Sequence, residues 1–382
     1  MNRVWKGLLG VTTATAATVA LLPGAAIAAA PGWWSAEGYT VTNSGFNPNE
    51  PTLTMAKVPS LKLLRTTSPD RKGLSAPVLD KGRVFAYDTG GITAYDEATG
   101  AQVWRHDLTS GSVSGKLVVT GGKVVVLYNF GSPPYGGTAV LILDAATGAV
   151  QATANNNNGY MDQLLVDRGV IVVSGDARWD SKTFGYSLSD GKELWRNHLY
   201  MYQPVSANGR ILVEGSDGSA QYGRIVDILT GTVLFSDLWK PYNVLAASSD
   251  GKKFWVAWGH SLQVLDATTG KLSWIASYVH PKFAVLSPSR LYVATNDNRV
   301  IAFNLSNNSV AWTKTYSKPL LRPIIAGGAL YVPVAGDRMY VVNPANGAAL
   351  TSPAFTGTAY PPVVTGAKVY VTNGVKMSVY GL

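Results

Sequence analysis

The side chains able to do acid–base, metal or nucleophilic chemistry are few in kind. The chain has four histidines (His106, His198, His260 and His280), 23 carboxylates and no cysteine. None of the histidines belongs to an H-E-x-x-H pair, the spacing that brings two imidazoles to one metal on a helix face. No G-x-S-x-G elbow raises a serine for nucleophilic attack. The GGK at 121–123 is too short for a phosphate loop, which needs a wider spacing and a following helix. Without cysteine there is no disulfide, thiolate metal site, cysteine nucleophile or lipidated N-terminal cysteine. The remaining chemistry is recognition. Tyr135, Tyr160, Trp179, Tyr200, Tyr202, Tyr222, Trp239 and Tyr242 lie close to Asn155, Asp176, Arg178 and Lys240. Aromatic planes bury large areas at small entropic cost, and neighbouring polar groups orient what they hold, so such a set suits a sugar or a peptide.

These residues sit within a repeat. DATTGKLSW (266–274) has counterparts at 96–104 (DEATGAQVW) and 144–152 (DAATGAVQA), with weaker copies starting at Ser187, Asp227, Asn304 and Asn343. The steps between anchors are 48, 43, 40, 39, 38 and 39 residues. A period near 40 marks a solenoid or propeller. The segments before the anchors, such as SLQVLD (261–266) and RMYVVN (338–343), alternate with β-branched and aromatic residues as strands do. Four positions after most anchors stands Gly100, Gly148, Gly191, Gly231, Gly270 or Gly347, where a hairpin turn needs positive φ. Asn308 takes that place in one copy. Eight positions after the anchor comes Trp104, Trp195, Trp274 or Trp312, or Phe235. An aromatic residue recurring at equal intervals predicts a spacer packed between adjacent blades rather than a ligand platform.

The anchor–Gly–Trp pattern resembles the PQQ-like β-propeller repeat, over roughly residues 40–382. NSGFNPNEPTL (43–53) also resembles the leader that precedes many secreted propellers of this kind, through Ser44, Gly45, Phe46, Asn47, Pro48, Glu50 and Leu53. The expected fold is all-β: an eight-bladed propeller of four-stranded antiparallel blades. Complete blades are expected near 74–108, 113–154, 160–199, 203–238, 242–277, 282–316 and 320–355. The eighth combines three C-terminal strands (360–364, 367–372 and 375–381) with an N-terminal strand at 60–67. There Leu63-Leu64-Arg65 aligns with Val103-Trp104-Arg105. Such closure leaves no free edge at the seam.

Composition agrees. Charged residues are 14%, glycines number 40 among 382, and a core of this size needs no covalent staple. The formal charge is +9, but no dense Lys/Arg stripe points to nucleic acid. Residues 1–28 read as a signal peptide: Arg3 and Lys6, an apolar run from Gly7 to Leu22, and an A-x-A site with cleavage before Ala29. No later segment is apolar enough to span a bilayer as a helix. Residues 29–59 are expected to form an extended leader, and 60–382 the propeller.

Long segments joining the second and third strands of three consecutive blades (128–137, 174–182 and 215–223) meet inter-blade segments at 155–162, 199–204 and 238–242 on one face. This places Tyr135, Tyr160, Arg178, Trp179, Tyr200, Tyr202, Tyr222, Trp239 and Tyr242 in the candidate ligand-binding set. The expectation is a secreted, extracellular or cell-envelope-associated module. It is monomeric, without cofactor or catalytic residues, and binds or scaffolds an extracellular glycan, peptide or protein. The resemblance implies two alternatives. One is a quinoprotein oxidoreductase using PQQ and calcium, whose Glu, Asn and Asp metal ligands map onto no position here. The other is an envelope assembly factor resembling the propeller subunit of the outer-membrane β-barrel assembly machine, a family tethered through a lipidated cysteine that this chain lacks.

Overall fold

The computed structural model describes residues 33–68, 72–108, 111–131, 136–156, 159–177, 182–216, 221–237 and 242–382. The expected signal peptide lies outside the described residues, as do Tyr135, Arg178, Trp179, Trp239 and Lys240.

The described residues form eight successive sheets, each built on four antiparallel strands. Blade 1 consists of Val78–Asp80, Arg83–Asp88, Gly91–Asp96 and Gln102–Asp107, and the next six repeat the plan. Blade 8 closes the ring as expected. Lys62–Thr67 pairs antiparallel with Met377–Gly381, beside Lys368–Thr372 and Val363–Thr365.

The third-to-fourth-strand turn shows why its residues recur. Asp96 Oδ1 accepts from the amides of Ala98 (3.1 Å) and Thr99 (2.9 Å), and Gly100 N donates to Asp96 O (2.8 Å). The six turn glycines have φ between +68 and +76°, and Asn308 stands at +59°. The turn also receives the preceding blade. Trp104 Nε1 donates to Ala145 O, Trp195 Nε1 to Ile228 O and Trp312 Nε1 to Pro344 O, at 2.9–3.0 Å. Each ring lies over the next blade's glycine, where a Cβ would come within 2.6–2.9 Å of it. The recurring tryptophan is therefore the inter-blade spacer.

At the closing blade the sequence alignment is off by one. Arg65, not Leu64, takes the tryptophan's place. A bulge between Leu63 and Arg65 sets this register, leaving Leu64 exposed and Arg65 over Gly100. Its guanidinium donates to Glu97 O (2.6 Å) and Ala98 O (3.1 Å).

The core is a set of layers between blades. Phe85, Ile92 and Trp104 of blade 1 pack on Leu117, Val124 and Leu141 of blade 2, and comparable clusters fill the following junctions.

The leader is docked. From Trp34 to Glu50 it winds around one mouth of the central channel. The amides of Leu79, Val119, Ser206, Ala247, Leu286 and Ile325 donate to the carbonyls of Trp34, Ser35, Val41, Thr42, Ser44 and Gly45, at 2.7–2.9 Å. These are equivalent positions near the ends of six inner strands, so the strap supplies acceptors to donors that face the channel mouth. Its motif residues have distinct tasks. Asn47 Nδ2 donates to Val364 O (2.9 Å). Glu50 accepts from the amides of Thr52, Leu53 and Ala367 (2.9–3.0 Å). Phe46–Asn47 adds a parallel strand to blade 7. The end of the leader, Met55–Ser60, is a short 3-10 helix rather than extended chain. Among the described residues no helix is long and apolar enough to cross a membrane.

Candidate functional site

In each blade the turns between strands one and two, and three and four, lie at one end, where the strap runs. The segments between strands two and three, and between blades, lie at the other. At blades 3 and 4 this inter-blade face carries a built cluster.

Leu199–Tyr202 alternates. Leu199 and Met201 are buried between the blades, so Tyr200 and Tyr202 are turned outward. Polar bonds fix the segment. Met201 N donates to Ser174 Oγ (2.8 Å), and Tyr200 exchanges backbone bonds with Glu214 (2.6 and 2.7 Å). The two tyrosine rings meet edge to face with centroids 4.5 Å apart. Tyr200 donates its hydroxyl to the Asp162 carboxylate (3.1 and 3.2 Å). Burial, then the Asp162 charge, pushes its pKa to about 12. Tyr202 is 47% exposed, and burial followed by the Glu214 charge raises its pKa as well. Tyr222 lies across Gly215, where a Cβ would come within 2.5 Å of its ring, and beneath the Arg224 guanidinium at 4.3 Å.

Tyr160 has a supporting place. Its hydroxyl donates to Gly131 O (2.9 Å) and its ring covers Gly136. Tyr242 is buried in the layer with Val205, Val244 and Leu265 and presents no surface. The structure thus brings Tyr200 and Tyr202 into contact over neighbouring Asp162 and Glu214, holds Tyr222 in the same blade as Glu214, and puts Tyr242 inside.

Sequence reasoning missed Glu214. It ends the apolar run GRILVEG (209–215), and a carboxylate interrupting a buried strand was the available signal. It is 8% exposed, and burial raises its pKa to about 8 against the opposing Tyr242 amide bond. Trp258 and Tyr278, in blade 5 and the following connection, are also exposed. The His260 and His280 rings meet at a tilt of 35° with centroids 4.0 Å apart, although nothing in their spacing pairs them.

The central channel holds a cavity of about 410 Å³, floored by the strap. Calcium takes about six to eight oxygens, several from carboxylates. The cavity offers the carboxylate of Glu37 alone, and among the described residues no three acidic, histidine or cysteine side chains converge. These residues do not fit a calcium–quinone pair.

Comparison with known proteins agrees with this architecture. A family model described as outer membrane protein assembly factor BamB matches residues 54–199 and 259–379. Outer membrane protein assembly factor BamB of Yersinia pestis is 21% identical over 286 residues, 65% of this chain and 68% of that protein. The crystal structure of BamB from Moraxella catarrhalis superposes with a TM-score of 0.64 at 16% identity, covering 84% of this chain and 98% of that one. A quinohemoprotein alcohol dehydrogenase from Pseudomonas putida HK5 superposes with a TM-score of 0.71 at 14% identity, covering 92% and 80%. Both superpositions show the fold alone. The family match covers more than half of the chain, on either side of an unmatched stretch at 200–258 that holds blade 4 and the first half of blade 5, so this protein belongs to the PQQ-like propeller family described as outer membrane protein assembly factor BamB.

Proposed function

We propose that the protein is a non-enzymatic scaffold of the cell envelope that binds a protein partner through the inter-blade face of blades 3 and 4, in an assembly role of the kind its relatives are named for. One observation carries the reading: Tyr200 and Tyr202 are held outward by buried Leu199 and Met201, above Asp162 and Glu214. A partly exposed aromatic pair on a rigid base, flanked by hydrogen-bonding groups, is the composition of an interface hot spot. The relatives' name describes assembly rather than catalysis and favours a protein over a glycan partner.

The test is retention of purified 29–382 on isolated envelope material, beside a Tyr202→Ala/Tyr222→Ala variant with an unchanged melting temperature. The native protein is expected to be retained and the variant to lose at least about tenfold in affinity, since hot-spot truncations cost about 2 kcal/mol or more. Protease treatment of the material is expected to abolish retention, whereas retention that survives it assigns a glycan. Equal retention of both proteins overturns the site, and retention of neither overturns the reading. PQQ with calcium is expected to leave the melting temperature unchanged.

A further inference from the structure

A second cluster stands on the inter-blade face, at the joint of blades 5 and 6. His260 lies in the two-residue turn between Lys253–Trp258 and Ser261–Asp266. It follows Gly259 at φ +56°, the positive value such a hairpin turn demands of its first position. His280 ends the connection to blade 6, directly before the strand Pro281–Leu286.

Backbone bonds fix both positions. His260 O accepts from the amides of Val279 (2.8 Å) and His280 (3.2 Å), and Asn296 N donates to His280 O (2.9 Å). Val279 is buried in one layer with Leu262 and Leu291. On either side of it, Tyr278 and His280 stand at φ +55° and +53°, a conformation uncommon outside glycine and costly for a bulky side chain. Backbone strain of this kind persists where surrounding contacts over-determine it, and it concentrates at functional sites such as ligand clamps. The outcome is two imidazoles in contact at the surface, His260 exposed and His280 partly so, with ring centres 4.0 Å apart.

We infer that His260 and His280 form a binding site for a divalent transition-metal ion, with Cu²⁺ held most tightly. Imidazole nitrogen suits copper, nickel and zinc, and affinity among these rises to a maximum at Cu²⁺. Two imidazole nitrogens bound tetrahedrally at about 2.0–2.1 Å from one ion leave the ring centres about 5 Å apart, so opening the pair by about 1 Å admits it. The exposed His260 side chain makes that movement without disturbing the core. Among the described residues no third acidic, histidine or cysteine side chain joins the pair, so water fills the other positions of the bound ion. Asp297, in the neighbouring blade-6 turn, is paired with Arg299 (2.7 Å). A site of two nitrogens and no carboxylate disfavours calcium and magnesium, which take oxygen ligands. This inference stands apart from the reading of blades 3 and 4.

The experiment is calorimetric titration of intact 29–382, without an affinity tag, with CuCl₂, NiCl₂ and CaCl₂, together with pulsed EPR of the Cu²⁺ form. One Cu²⁺ per chain is expected, bound more tightly than Ni²⁺ and undisplaced by calcium, with modulation from two imidazole rings in the EPR signal. His260→Gln and His280→Asn are each expected to weaken Cu²⁺ by about tenfold or more, because the second nitrogen of a chelating pair binds intramolecularly. Asparagine keeps a residue tolerant of positive φ at 280, and His260→Gln spares the strained segment altogether, so unchanged melting temperatures are expected for both. His198→Gln, at an isolated exposed histidine, is expected to bind Cu²⁺ as the native protein does. Absence of Cu²⁺ binding, modulation from a single imidazole, undiminished binding in His260→Gln, or an equal loss in His198→Gln overturns the proposal. No envelope material enters this assay, so its failure leaves the reading of blades 3 and 4 standing.

Discussion

Glu214 concentrates the electrostatics of the inter-blade face. Folding buries its carboxyl beside Tyr202 and raises its pKa to about 8, whereas an unfolded glutamate titrates near about 4.3. Between these values the folded state binds more protons than the unfolded one, so stability is present at low pH and lost as pH rises towards the folded value. The melting temperature is expected to fall between about pH 5 and about pH 9, and Glu214→Gln to remove that component. Melting curves at matched ionic strength check it, and identical pH profiles for both proteins would refute the assignment. Above the folded pKa, Glu214 also carries a charge close to Tyr202, so retention on envelope material is expected to change over the same interval.

At the scale of the element, one contact repeats: an indole of one blade laid on the turn glycine of the next. Trp195 is 8% exposed, and its truncation to alanine is expected to cost about 3–5 kcal/mol, the range for large buried aromatics. Gly231→Ala acts on the other half of the joint. It puts a Cβ 2.7 Å from the Trp195 ring and holds alanine at φ +70°, so about 2 kcal/mol or more is expected from strain and overlap together. The closing joint is made by Arg65, whose hydrogen bonds to two carbonyls are charge-assisted. Arg65→Ala is expected to cost about 1–3 kcal/mol, less than the indole because the side chain is only half-buried. Denaturant unfolding of the three variants checks this order, and Arg65→Ala proving the worst would assign the seam a larger share of stability than its contacts explain.

At the scale of the molecule, the strap joins blades far apart in sequence. The donors it satisfies sit at one mouth of the channel, and a buried donor without a partner costs about 1–3 kcal/mol. Deleting residues 33–50 is expected to lower the melting temperature and to unprotect the amides of Leu79, Val119, Ser206, Ala247, Leu286 and Ile325 selectively. Hydrogen exchange in the deleted protein reads this directly. Unchanged protection at those six positions would show that the strap is dispensable to the channel mouth.

The repeat determined most of the fold by itself. Strand alternation, the Asp–Gly turn and the docking tryptophan are local or one-blade patterns, so their spacing carries eight blades and the velcro closure without any long-range information. One bulge escaped it, because Leu64 and Arg65 differ by a residue of register that alternation alone cannot fix. The candidate site was legible only as a face. Tyr200 and Tyr202 stood in the right segment, but so did Tyr242, and only packing between blades decided which rings point to solvent. Glu214, the His260–His280 pair and Glu37 in the channel came from the tertiary structure. Each gains its meaning from a neighbour tens to hundreds of residues away, through burial, ring contact or enclosure that no local spacing encodes.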